Sequence, residues 1–423
     1  MADPTIERRR RQLAGEVAHW RAAAHSLGDL DTIAAPAAWA AVERYLDTRI
    51  RGRLTGIASS VSGEADQLAA AVSAARSDDE VAHLRLRLLE LRRRYLRAET
   101  VIDFYCEAIN TRTTPRLGRI LRGLDSVAVD SMAVALRPLG IEAPPVLTYL
   151  DKGLGAAILR AGVRLWDDNA LSPAAAIKIT RHNLLRPTAL IHESGHQVAH
   201  LCGWNGELGH LLHGAVQPTS SEAARAWQEW ASEVAADVYA FAILGFAPVP
   251  ALANVVDGST SHVFAMLPGD PHPFAWLRVL FNVELCRSWF GPGPWDDLAR
   301  VWQERHTLGH APPGARQVAA ASMPLLGQLA ELCTRTPMHA FGGRPLAQLA
   351  DPRHASPREL SELAERAGGS LYTSSYLERH ESLRIVAWNT LQAAQSPEHS
   401  PALARQLQGW LEQLGREPLA AAA

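Results

Sequence analysis

The chain has 423 residues, room for two or three domains of ordinary size, and 47% of them are apolar, enough for a sizeable interior. Lys and Arg number 42 against 44 Asp and Glu, so overall charge gives no argument for nucleic acid or a strongly charged surface as partner. The scattered cysteines Cys106, Cys202, Cys286 and Cys333 form no CxxC pair, which argues against a disulfide framework and for reduced, mostly buried thiols in a cytoplasmic protein.

The N-terminus, MADPTIERRRRQLAGE, is charged and is followed by no apolar h-region, so no secretory signal is expected. Its first hundred or so residues read as helical. Ser77-Asp78-Asp79-Glu80 fits the Ser-x-x-Glu capping box at a helix start. From there Val81, Leu88, Tyr95 and Ile102 recur every seventh residue, and Leu84, Leu91, Ala98 and Tyr105 form the companion series. This predicts a long helix over 77–108 packed on a partner: the segment Pro36–Ile57, a second copy of the chain, or another protein. Arg85, Arg87, Arg92, Arg93, Arg94 and Arg97 fall on its other faces; without interleaved aromatics they read as a solvated surface rather than a nucleic-acid site.

The pattern breaks at Thr111–Arg116 and again at Pro144-Pro145. Val146–Leu150, the Gly-containing turn Asp151–Gly155 and Ala156–Trp166 read as strand, turn, strand, and Ala176–Thr180 as a further short strand. Helix is expected from Pro187 to His200, and helices separated by Pro/Gly clusters dominate from Ser221 onward. Val238–Val256 has membrane length but contains Gly245, Pro248 and Pro250, so it reads as the buried end of a helix followed by a loop, not a span. No internal repeat is found. The fold class expected is mainly α with a small β-sheet.

The chemistry concentrates at His192-Glu193-Ser194-Gly195-His196. On a helix the two histidines, four residues apart, share a face and can offer ring nitrogens to one ion, while Glu193 sits one position round and reaches a metal-bound water. Catalytic zinc takes three protein ligands, so a third is required. The metzincin pattern calls for a glycine and a histidine where this chain has Ala199 and Cys202. His200 would have to reach back past His196. Glu233, in Glu233-Val234-Ala235-Ala236-Asp237, is the better candidate, because Asp237 one turn on can accept the second N–H of a ligating histidine. The flanking Leu190, Ile191, Val198, Ala199 and Leu201 make the first helix apolar, so its polar groups need buried partners.

These residues resemble the gluzincin, thermolysin-like metallopeptidases, whose signature is HExxH on one helix and ExxxD on the next. The resemblance covers about 189–240. It implies zinc held by His192, His196 and Glu233, with Glu193 as general base and Asp237 orienting His192. Asp270-Pro271-His272-Pro273 with Arg278 is similar to the His-Pro…Arg element of the prenyl-protein and heat-shock-type metallopeptidases. That likeness implies His272 as the oxyanion donor and Arg278 as the residue holding the local loop, although the transmembrane helices of that group have no counterpart here. The aminopeptidase signature Gly-x-Met-Glu-Asn is absent.

The resulting organisation is a helical, coiled-coil-like N-terminal domain over 1–115 and a zincin-like domain over 116–423. The function expected is hydrolysis of peptide or protein substrates. Two alternatives are a catalytically silent zinc-containing binding module acting through the N-terminal helices, and a zinc hydrolase of non-peptide bonds; the intact Glu193 argues against the first. His182 and Asn183, after the second β segment, are weaker candidates, and His262, His306, His310 and His339 are alternatives to His272. Trp204, Trp227 and Trp230 are expected in the core.

Overall fold

The helix starts and stops follow local chemistry. A computed structural model describes residues 4–153, 155–161, 172, 174–184 and 186–416. The N-terminal part winds into α1 (Pro4–Leu27), α2 (Pro36–Leu46), α3 (Ile50–Ala74) and α4 (Asp78–Asn110). At the start of α4 the Glu80 amide donates to the Ser77 hydroxyl at 3.2 Å, and the Ser77 amide donates to the Glu80 carboxylate at 3.1 Å, closing the capping box. Val81, Leu84, Leu88, Leu91, Ala98, Ile102 and Tyr105 are buried, and Tyr95 meets Trp20 edge-on with centroids 5.3 Å apart. The heptad seam is filled chiefly by α3 and α1, with a smaller contribution from α2, so the expected segment Pro36–Ile57 supplies only part of the partner surface. Two helices flank α4, and together they bury more of its apolar stripe than one partner could.

Contacts divide the chain into two units, Met1–Thr114 with Leu159–Ala176, and Pro115–Ile158 with Ile177–Ala423. The first unit thus includes a segment from beyond residue 115, tied back by the buried Tyr105 hydroxyl, which lies 2.6 Å from the Ser172 hydroxyl.

The second unit opens with α5 (Pro115–Leu136), its proline in the first turn where no amide partner is needed. The strands β1 (Val146–Asp151), β2 (Ala157–Leu159) and β3 (Ala175–Thr180) follow in the spatial order β1-β3-β2. Both strands of the expected strand–turn–strand segment are present, but they do not pair with each other: β3, almost wholly buried, takes the centre, and the half-buried β2 is left at the edge. Of the expected strand Ala156–Trp166, the part from 162 lies outside the described residues. The β1 amide of Thr148 donates to the buried Asp125 carboxylate of α5 at 2.7 Å.

Then come α6 (Thr188–Cys202), α7 (Trp204–Val216), α8 (Ser221–Glu229), α9 (Ala231–Leu244), α10 (Pro248–Val256), α11 (Thr260–Val263), α12 (Ala275–Phe290) and α13 (Pro294–Arg305), with further short helices running to Leu414. The expected loop after Leu244 is instead α10. Pro248 and Pro250 sit in its first turn, where their missing N–H groups cost no helical bond. No helix among the described residues is long and apolar enough to cross a membrane. Trp204 and Trp227 are fully buried and Trp230 nearly so, as are Cys106, Cys286 and Cys333.

One contact positions the site. α6 lies against α9, and a Cβ on Gly195 would stand 3.0 Å from the Ala236 Cα and 3.0 Å from the Tyr239 Cβ. Only a residue without a side chain lets the backbones come this close. We expect Gly195→Ala to cost about 1–3 kcal/mol through overpacking. Gly206→Ala, in α7 with no atom within 4 Å of the new methyl, should leave the melting temperature unchanged or raised. Thermal melts of the two variants check both outcomes.

Candidate metal centre

The α6–α9 contact sets two pairs of side chains face to face. His192 and His196 project one turn apart from α6, and Glu233 and Asp237 one turn apart from α9. Both helices are otherwise largely apolar, so these buried polar groups need partners, and part of the need is met across the contact. His192 Nε2 lies 3.3 Å from Glu233 Oε2, and His196 Nε2 lies 3.2 Å from Glu233 Oε1. The two rings meet edge-on, 4.8 Å between centroids. One ligand atom from each of His192, His196 and Glu233 falls within 4.8 Å of the others.

The outward-facing nitrogens are held as well. His192 Nδ1 is 2.9 Å from Asp237 Oδ1, and His196 Nδ1 is 3.4 Å from the Ser232 hydroxyl, which in turn accepts from Asn205 at 3.4 Å. Holding each Nδ1 turns both Nε2 atoms inward. Two imidazole nitrogens and one carboxylate, with the remote nitrogens fixed by outer groups, form a donor set that suits zinc.

α12 closes the back of the site. The Arg278 guanidinium donates to both Asp237 oxygens, at 2.7 and 2.8 Å, and to Glu233 Oε2 at 3.1 Å. Asn282, one turn further on, donates to Asp237 Oδ2 at 3.1 Å. Arg278 thus holds the two carboxylates rather than its local loop, which corrects the role expected of it. It is only 7% exposed, so its charge must be met at the site itself. Asp270 fixes His272 by accepting both its backbone amide, at 3.0 Å, and its ring Nδ1, at 2.6 Å. His272 Nε2 stands 3.4 Å from Glu233 Oε2, and the ring is half exposed.

A cavity of about 240 Å³ opens over these groups. His192, Glu193, Glu233, Asp237, His272 and Arg278 line it on one side. The other wall is apolar: Pro248, Ala251, Leu252, Val255 and Val256, the helical repeat of one face of α10. Gly155, Ala156 and Asn183 stand at its rim on the β2–β3 side.

The other candidates fall elsewhere. His200 is exposed at the far end of α6. His182 bonds the Thr180 hydroxyl and lines no part of this cavity. Nor do His262, His310 or His339, and the buried His306 pairs with Asp257 at 2.9 Å. Three contributors went unnoticed in the sequence: Ser232, Asn282 and the α10 wall. Asn282 left a signal, a second polar residue four positions after Arg278 in an apolar helix; Ser232 did not.

Electrostatics at the site are coupled. Burial opposes the carboxylates, yet the histidine hydrogen bonds and Arg278 hold Glu233 far below its ordinary pKa. Asp237 is held down against burial by Arg278 and His192. Burial also works against the His192 cation, but the bonds and charges of Asp237 and Glu233 prevail and raise its pKa to about 10. The Glu193 carboxyl is pushed up by burial, with the positive charges of His192 and His196 opposing.

Comparisons with protein-family models, curated proteins and solved structures return no match to this chain.

A pH dependence follows for the metal-free chain. The depressed carboxylates contribute stability that is complete above their ordinary values near 4 and is lost as pH falls. His192 contributes fully below its ordinary value near 6.5, and its contribution fades as pH rises toward about 10. Thermal stability without metal should therefore peak between the two and decline on both sides. Asp237→Asn should flatten both limbs; equally steep limbs in the variant would disprove the assignment.

Proposed function

We propose that the chain is a zinc-dependent peptidase that hydrolyses peptide bonds in peptide or protein substrates. The observation carrying this reading is the convergence of His192 Nε2, His196 Nε2 and the Glu233 carboxylate beside a cavity that His192, Glu233 and Glu193 line. His192, His196 and Glu233 would hold the zinc, which would supply Lewis acidity toward a carbonyl and a water.

The remaining work belongs to the protein's own groups. Glu193 takes the proton of the attacking water on a carboxylate oxygen and later passes it to the leaving amine nitrogen. Its raised pKa suits it to hold that proton between the two events. His272, anchored at Nδ1 by Asp270, lines the cavity and is the donor to the developing oxyanion. Arg278 and Asn282 keep Asp237 and Glu233 in register. The apolar face of α10 gives the substrate a dry wall opposite the charged groups.

Incubating the purified chain with a random peptide library, with and without chelator, tests the activity. Chelator-sensitive cleavage is expected. Glu193→Gln should keep the zinc and the melting temperature and lose about 10²- to 10⁴-fold in rate; undiminished hydrolysis would refute the mechanism. Metal analysis of Glu233→Ala should show zinc lost, and zinc retained at the wild-type level would overturn that ligand.

A further inference from the structure

We infer that the outer face of α4 is a docking surface for an acidic amphipathic helix of another protein. The heptad that buries Val81 through Tyr105 accounts for one side of this helix. In that register Leu86, Leu89, Arg93 and Leu96 occupy the outward positions, where a solvated coiled-coil helix carries polar residues. Leu86 is 64% exposed, Leu89 39% and Leu96 51%. Their spacing of three and seven residues is itself a heptad seam, with Arg93 at the position that completes it. α4 therefore has two seams on opposite sides, of which α1 and α3 cover one.

Charge selects the occupant. Arg85 and Arg97 border the second seam and Arg93 lies within it; all three are exposed, and among the described residues none is paired with a carboxylate. Neighbouring arginines are differently engaged: Arg94 pairs with Glu64 at 2.6 Å and Arg92 lies over the Trp20 ring. Glu90 is the single acidic residue between 85 and 97. A second copy laid leucine on leucine would oppose Arg85 to Arg85 in the parallel arrangement and to Arg97 in the antiparallel one. A bilayer surface fits less well, because the apolar strip is one residue wide, carries no aromatic side chain and has Arg93 in its middle. A helix with leucines on its seam and glutamates beside them meets both demands, filling between Leu86, Leu89 and Leu96 while pairing the arginines.

The test uses the full chain and a fluorescent peptide helix with leucines at its heptad core and glutamates flanking them. The same peptide with lysines for glutamates, and phosphatidylserine vesicles, serve as the other probes. The acidic peptide should bind, more weakly at high salt, and at least about tenfold more weakly to Leu89→Ser and to Arg93→Glu. Both substitutions are on the surface and should leave the melting temperature unchanged. The inference is overturned if the acidic peptide does not bind, if both variants bind it like wild type, or if the lysine peptide binds equally well. It is also overturned if only vesicles bind, or if the chain sediments as a dimer that Leu89→Ser dissociates.

Discussion

Asp237 and Glu233 are carboxylates on a helix whose every other turn is apolar, and they are buried against a helix that is equally apolar. Two such groups can stay ionised there only if positive or donating partners are brought to them. His192, His196, Arg278 and Asn282 come from two further helices to do this, and the packing of α6, α9 and α12 is arranged around that requirement. Removing one partner would leave a buried charge uncompensated, which costs far more than losing one exposed ion pair. The cluster is therefore a structural element before any chemistry is considered.

The same requirement organises the cavity. With His192 tied to Asp237 and Glu233, and Glu233 tied to Arg278, the three donor atoms are held before any ion arrives. A metal bound by this set would have to displace the proton that the carboxylates favour on His192, which would link loading to pH. Arg278 and Asn282 reach Asp237 from α12 and, with His192 and Glu233, line the same cavity. Across the opening, α10 contributes only apolar side chains, and the proposed peptidase reading uses that contrast between a charged floor and a dry wall.

The N-terminal unit follows a different logic. Its interior is a helical core chiefly of Leu, Val, Ile and Ala with Trp39 and Tyr105 buried among them, and α4 meets its partners through a regular seam. What is irregular is the outside of α4, where leucines occupy positions that solvent ordinarily assigns to polar residues. Three leucines in one strip, bordered by arginines, are the reason this face is read as an interaction surface.

Local chemistry in the sequence determined a good deal. The capping box at Ser77 and Glu80, the buried heptad of α4, the mainly helical class and the small sheet could all be read directly, because caps and periodicities are properties of neighbouring residues. So could the facing pairs His192/His196 and Glu233/Asp237, since four-residue spacing places groups on one side of a helix. The tertiary structure alone decided the rest. The order β1-β3-β2 depends on which strand is buried from both sides, which no local pattern states. α10 was hidden because prolines that break a helix in its middle are harmless in its first turn. Arg278's grip on both carboxylates, Ser232 behind His196 and the return of Ser172 to Tyr105 join residues far apart in the chain. Such pairings are set by where buried charges and hydroxyls find partners, and that is known only once the helices are packed.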